Sequence, residues 1–167
     1  QDTINLAYAK YPNDDDRLQK IFREVKLSDY GARRTIEQMD VDLVNYKKDR
    51  HKLEYVDYFK TFLECKNPPP LKYLFVDEAQ DLSVHQWMVV DMIQQVSKPI
   101  ETYVAGDDDQ AIFRWAGADI EHFIAMANND ANTIIPLTQS YRVPKSVHTL
   151  ATKMAQSITN RIEKSYR

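Results

Sequence analysis

Glycine is scarce: 167 residues hold three, Gly31, Gly106 and Gly117. A phosphate-cradling P-loop needs glycines for close backbone approach and ends in Gly-Lys-Ser/Thr. No such string occurs, so any nucleotide chemistry here proceeds without a P-loop of the chain's own. The single cysteine, Cys65, excludes a disulfide framework and a multi-cysteine zinc site. No stretch approaches the roughly 18 consecutive apolar residues of a membrane span. Neither sign of charge dominates, with 22 Lys+Arg against 25 Asp+Glu for a net charge of −3. That balance argues against a wholly basic nucleic-acid coat but leaves room for a local patch. Internal repeats and low-complexity tracts are also missing. What is present suffices for a core: 43% of residues are hydrophobic and 28% charged. The length fits one domain, or one domain with pieces of a neighbour. The start, Gln1-Asp2-Thr3-Ile4, is neither a leader nor an initiator methionine and reads as a cut or processed end. With no targeting signal, a cytoplasmic location is the expectation.

Three zones follow one another. Residues 1–66 are polar and helix-prone, with an acidic run at Asp14-Asp15-Asp16 and a basic run from Lys47 to Lys52, both expected to be solvated faces. Tyr55, Phe59, Phe62 and Leu63 recur at helical spacing, so an amphipathic helix is expected there, its tyrosines serving as packing residues. Cys65 is expected to be a small core residue beside the prolines. Pro68-Pro69-Pro70 then stops any helix. Tyr73-Leu74-Phe75-Val76 is a short apolar run of the kind buried on both faces of a parallel sheet. Ser83 with Gln86 forms a capping box for a helix carrying Val84, Trp87, Met88, Met92 and Val96. The pattern repeats with a strand at Thr102-Tyr103-Val104-Ala105 and a helix around residues 120–127. A third strand is expected at Thr133-Ile134-Ile135, and a last helix opening at Pro144 with Val147, Leu150, Ala151, Met154, Ile158 and Ile162 on its apolar side. Strand, loop and helix in repeated succession imply crossovers and a parallel sheet flanked by helices, hence an α/β fold.

Ligands of an open parallel sheet bind at the carboxyl ends of its strands. The unusual polar residues stand at those ends: Asp77-Glu78, then Asp107 to Gln110, then Tyr141-Arg142. An Asp fixed behind an apolar strand can position Mg²⁺, which takes one or two carboxylates plus phosphates. The neighbouring Glu can orient or deprotonate an attacking water. An Arg at a nearby strand end can meet charge developing on a transferred phosphoryl group. A Gln can register a terminal phosphate without changing its own charge. A two-metal nuclease built on Asp77, Glu78, Asp107, Asp108 and Asp109 is disfavoured, because the neighbouring side chains of the three consecutive Asp are expected to diverge. His51, His85, His122 and His148 lack metal-ligand spacing and read as surface or packing residues. Lys153, Arg161, Lys164 and Arg167 make a basic end expected to be solvated.

Leu74-Phe75-Val76-Asp77-Glu78-Ala79-Gln80-Asp81 resembles the Walker B box, of DExQD type, of superfamily 1 DNA helicases of the UvrD/Rep/PcrA kind. Residues 106–119, Gly-Asp-Asp-Asp-Gln-Ala-Ile-Phe-Arg-Trp-Ala-Gly-Ala-Asp, resemble that family's motif III, GDxxQSIYxWRGA. Leu137-Thr138-Gln139-Ser140-Tyr141-Arg142 resembles motif IV, and order and spacing match as well. Leu53-Glu54-Tyr55-Val56-Asp57-Tyr58 resembles the LDFxDL segment that precedes Walker B. Ala111, Phe113, Ala116, Ser140 and Val143 depart from the usual Ser, Tyr, Arg, Asn and Ser. The change at Ala116 removes one expected DNA or inter-domain contact, and Val143 leaves the last helix without a side-chain cap.

The resemblance implies an ATP-dependent DNA helicase or translocase of DNA replication or repair. In it Asp77 coordinates Mg²⁺, Glu78 activates water, Gln110 contacts the γ-phosphate of ATP, Tyr141 packs on adenine and Arg142 reaches the γ-phosphate. Phe113 and Trp115 stack on single-stranded DNA; by pattern alone Trp115 reads as a core tryptophan. It further implies a partial RecA-like P-loop NTPase fold with a helical N-terminal segment. Residues 1–50 correspond to an insertion of 1B type, residues 51–142 to the remainder of the first RecA-like domain, and residues 143–167 to the opening helix of the second. The P-loop is then expected upstream and the remaining helicase domains outside the chain, so that the 167 residues alone neither hydrolyse ATP nor unwind DNA. Two other readings stand beside this one: the helicase portion of a helicase–nuclease repair enzyme, and a non-catalytic module that only docks DNA or protein. The intact Asp77-Glu78 pair speaks against the second.

Overall fold

Local capping decides where most helices of this chain begin. The computed structural model describes residues 2–159 and 161–164. Its first part is helical, with α1 (Asp2–Lys10), α2 (Arg17–Glu24), α3 (Tyr30–Arg50) and α4 (Tyr55–Cys65). Helix α1 packs on α2, burying Ile4, Ala7, Ile21 and Phe22. The Asp29 carboxylate caps α3 by accepting the Ala32 N–H at 2.6 Å. Glu54 and Asp57 form a capping box at the start of α4, and Lys47 of α3 reaches across to Asp57 at 2.9 Å and Glu54 at 3.3 Å. The basic run is therefore only partly a solvated face. In α4 the residues Phe59, Phe62 and Leu63 turn inward, whereas Tyr55 and Tyr58 face solvent, contrary to a packing role for the tyrosines. Cys65, the last residue of α4, is likewise exposed rather than in the core.

After the prolines come β1 (Tyr73–Val76), α5 (Val84–Ser97), β2 (Glu101–Val104), α6 (Ile120–Ala127) and α7 (Lys145–Ala155). The two strands pair in parallel with Leu74 opposite Thr102 and Val76 opposite Val104, so the fold is α/β with a right-sized crossover through α5. Ser83 accepts the Gln86 N–H, and Gln86 answers by accepting the Ser83 N–H at 2.8 Å, the expected capping box. The core gathers Val76, Ala79, Trp87, Ile120, Phe123 and Ile124, with Leu74 and Val104 against it. Trp87 is buried and stacks on His122 with ring centroids 4.4 Å apart. His85 is buried against Phe59, so two histidines are packing residues as expected.

Among the described residues, helices cover only one face of this sheet. Leu74, Val76 and Val104 point to them, while Phe75 is 71% exposed and stacks on Tyr103 across the open face at 5.0 Å. The expectation of strands buried on both faces is thus corrected: period-2 alternation puts Tyr73, Phe75 and Tyr103 on the side no described helix covers. The third strand does not form either. Residues 133–135 lack strand structure among the described residues, and Ile134, Ile135 and Leu137 are exposed. Pro136 removes a ladder donor there, and a strand joining this sheet would leave one of its own faces uncovered. Helix α7 starts at the predicted proline without a side-chain cap, but ends at Ala155, with Val147, Leu150 and Met154 exposed.

Candidate functional site

The two carboxyl-terminal strand ends are tied into one rim. Ala105 N–H donates to the Val76 carbonyl at 2.8 Å, and Ala79 N–H donates to the Ala105 carbonyl at 2.9 Å. Beyond Val76 the chain turns sharply. Glu78 adopts φ = +49°, the left-handed region that a non-glycine residue enters only when its surroundings hold it there. Its neighbour Asp77 accepts the Glu78 N–H at 2.9 Å through one carboxylate oxygen, and both side chains are exposed.

Gln80 joins the acidic pair to the loop after β2. It is 2% exposed, donates to the Glu78 carboxylate at 2.8 Å and accepts the Asp107 N–H at 2.9 Å. Its only signal in the sequence is its place inside the Walker B-like string, which assigns it no role. The bridge explains Gly106 in turn. A Cβ there would lie 2.7 Å from Gln80 Oε1 and 2.9 Å from the Phe123 ring, closer than packed atoms come. Gly117 is required for a second reason, φ = +101° with Ala9 of α1 pressed against it.

The loop itself begins as a 3-10 turn over Asp108–Gln110, with Gln110 Nε2 donating to Asp107 at 2.6 Å. Burial alone would push the Asp107 carboxyl up, but hydrogen bonds from Lys164 and Gln110 outweigh it and hold it below the usual carboxylate range. Five positions after Gln110, Trp115 is 73% exposed, and its ring centroid lies 6.4 Å from that of Phe113. Trp115 is therefore no core tryptophan. Phe113 also borders a cavity of about 160 Å³ shared with Phe59, Asp81 and His85, which neither Asp77 nor Glu78 lines.

Two expectations about this rim are overturned. Asp107, Asp108 and Asp109 do not diverge, because the tight 3-10 turn lets all three carboxylates converge on Lys164. Nor is the basic end wholly solvated: Arg161 forks onto Asp109 at 2.9 and 2.6 Å. Arg167 lies outside the described residues. The third predicted strand end stays apart from the first two. Tyr141 is 91% exposed, and neither it nor Arg142 makes a hydrogen bond, ion pair or ring contact among the described residues. With no third strand, nothing in residues 133–142 carries these side chains to the rim.

The donor set at the rim suits Mg²⁺. Two exposed carboxylates, Asp77 and Glu78, stand behind a strand, and among the described residues no trio of acidic, histidine or cysteine side chains forms a protein cage. An ion that keeps its waters and shares phosphate oxygens fits that arrangement. No helix of the described residues is long and apolar enough to cross a membrane.

A profile of the UvrD/REP helicase N-terminal domain matches residues 32–131. The ATP-dependent DNA helicase PcrA of Bacillus subtilis is 34% identical over 95 residues, which cover 56% of this chain and 13% of that protein. PcrA of Staphylococcus aureus is 35% identical over 92 residues, 54% of this chain and 12% of that protein. DNA helicase II of Rickettsia typhi is 32% identical over 111 residues, 62% of this chain and 17% of that protein. The chain thus spans only 12–17% of the length of these relatives.

Proposed function

The chain belongs to the UvrD/REP helicase N-terminal domain family, and from that premise we propose that it serves an ATP-dependent DNA helicase by coupling ATP hydrolysis to movement on single-stranded DNA. The observation that carries this reading is the Gln80 bridge, which makes the acidic pair and the loop bearing Gln110, Phe113 and Trp115 one mechanical unit. In this reading residues 51–142 are the remainder of a RecA-like domain, residues 1–50 its 1B-type helical insertion, and residues 143–167 the opening of the second RecA-like domain. The exposed apolar side of α7 supports a role in a further packed unit.

Glu78, held by Gln80, orients and deprotonates the attacking water. Asp77 holds Mg²⁺, which when bound neutralises phosphate charge. Gln110 meets the γ-phosphate. Its five-residue distance from Trp115 means that a shift on phosphate release also moves the aromatic platform on which bases stack. Tyr141 and Arg142 serve adenine and γ-phosphate once residues 137–142 are drawn to the rim, a closure that nucleotide itself would favour. Because no Gly-Lys-Ser/Thr string occurs in the 167 residues, the phosphate cradle comes from chain outside them, and the 167 residues alone are inactive.

The test is ATP hydrolysis by the full-length protein with and without single-stranded DNA. Glu78→Gln is expected to lower turnover by about 10²–10⁴-fold, the usual worth of a general base. Trp115→Ala should retain basal turnover and lose the stimulation by DNA. Wild-type turnover in Glu78→Gln would end the reading.

A further inference from the structure

Three adjacent carboxylates beside a triphosphate site pose an electrostatic problem, since Asp107, Asp108 and Asp109 would repel an anionic ligand. A segment more than fifty residues away answers it. Lys164 Nζ pairs with Asp107 and with Asp108, and lies 3.4 Å from Asp109. Arg161 grips Asp109 with Nε at 2.9 Å and Nη2 at 2.6 Å, the planar two-pronged geometry that fixes a carboxylate in place. The backbone joins in, as Ile162 N–H donates to Asp108 Oδ2 at 2.6 Å. The Ile162 side chain packs against the core cluster, which anchors the segment to the sheet rather than leaving it to charge alone. Asp108 is only 6% exposed, so water cannot do the same service. Burial would lower the Lys164 pKa, but its bonds to Asp107 and Asp108 raise it, and the side chain stays a cation throughout the physiological range.

We propose that residues 161–164 form a charge clamp on the loop after β2, with Arg161 and Lys164 as positioning residues that let an ATP triphosphate approach Gln110. The clamp rests on the ATPase reading given above. It reduces three negative charges to one at the rim and fixes Asp107, which accepts the Gln110 amide at 2.6 Å. It also ties the segment beyond the third motif to the loop that carries Trp115, so the two move together.

The experiment is steady-state ATP hydrolysis by the full-length protein. Lys164→Ala is expected to raise KM for ATP roughly tenfold, the scale of one uncompensated charge acting over about 12 Å near a protein surface, with kcat unchanged. Raising the ionic strength should shrink that difference. Lys164→Arg should restore KM, and adding Asp108→Asn to Lys164→Ala should recover most of it, even where the single variant folds poorly. An unchanged KM in Lys164→Ala, or a defect that neither Lys164→Arg nor Asp108→Asn repairs, overturns the clamp. Absence of ATP hydrolysis in the wild-type full-length protein would instead remove the ATPase reading itself, which keeps the two failures distinct.

Discussion

Replacing Gln80 by leucine removes the bridge at nearly constant volume. The side chain is buried, so leucine fits, but both polar contacts vanish. The Asp107 N–H loses its acceptor in a half-buried site, which costs about 1–3 kcal/mol. The Glu78 carboxylate loses a donor as well, yet it is exposed and water replaces most of that bond. Burying leucine instead of an amide offsets part of the loss. A net destabilisation of about 1–3 kcal/mol, at roughly 2–4 °C per kcal/mol for a domain of this size, lowers Tm by about 2–12 °C. The functional effect should be larger. Glu78 sits in a left-handed conformation that Gln80 helps hold, and a misplacement of about 1 Å in a catalytic group can cost about 10²-fold. Thermal unfolding followed by circular dichroism, with ATP turnover of the full-length protein, reads both quantities. A fall in Tm with kcat intact would refute the link to catalysis, and no change in either would refute the bridge.

Other perturbations test neighbouring steps. Gly106→Ala should behave like the Gln80 variant, since its Cβ would meet Gln80 Oε1 at 2.7 Å; overpacking of this kind costs about 1–3 kcal/mol and shows in a denaturant melt. Trp115→Ala should weaken binding to a labelled single-stranded oligonucleotide by about 1–3 kcal/mol per stacked base, read by fluorescence anisotropy, while Tm stays put because the ring is exposed. Burial lowers the His85 pKa, so the folded state resists its protonation. The stability this provides is complete above the unfolded value near 6.5 and is lost as pH falls below it towards the folded value. Urea midpoints measured from pH 7.5 to 5 should fall, and His85→Phe should flatten that decline.

Local signals were legible where chemistry is local. The capping box at Ser83 and Gln86, the helix from Ile120 to Ala127, the proline start of α7 and the two parallel strands all follow from residue type and spacing. The third strand was not, because a three-residue apolar run looks the same whether or not a sheet has a covered face waiting for it. Phe75 illustrates the point: an apolar letter marks a strand but does not say what lies across from it. At the site, Asp77, Glu78 and Gln110 stood out by their positions after strands, Trp115 only through the motif it shares with the helicase family, and the structure joins the loops that carry them. The Lys164 contacts could not be read, since they depend on a turn that turns three neighbouring carboxylates the same way and on a partner over fifty residues distant. Tyr141 and Arg142 mark the reverse case, motif residues without a hydrogen bond, ion pair or ring contact among the described residues.

On the proposed function, the rim of Asp77, Glu78 and Gln110 receives a triphosphate and Arg142 closes on it. Determining the structure of the full-length protein with Mg²⁺ and a non-hydrolysable ATP analogue tests this most directly. The γ-phosphate is expected within hydrogen-bond reach of Gln110 and Arg142, with Asp77 facing the metal ion and Glu78 facing the attacking position. A triphosphate bound elsewhere, with that rim empty and Arg142 still remote from it, would rule out a nucleotide site at these strand ends.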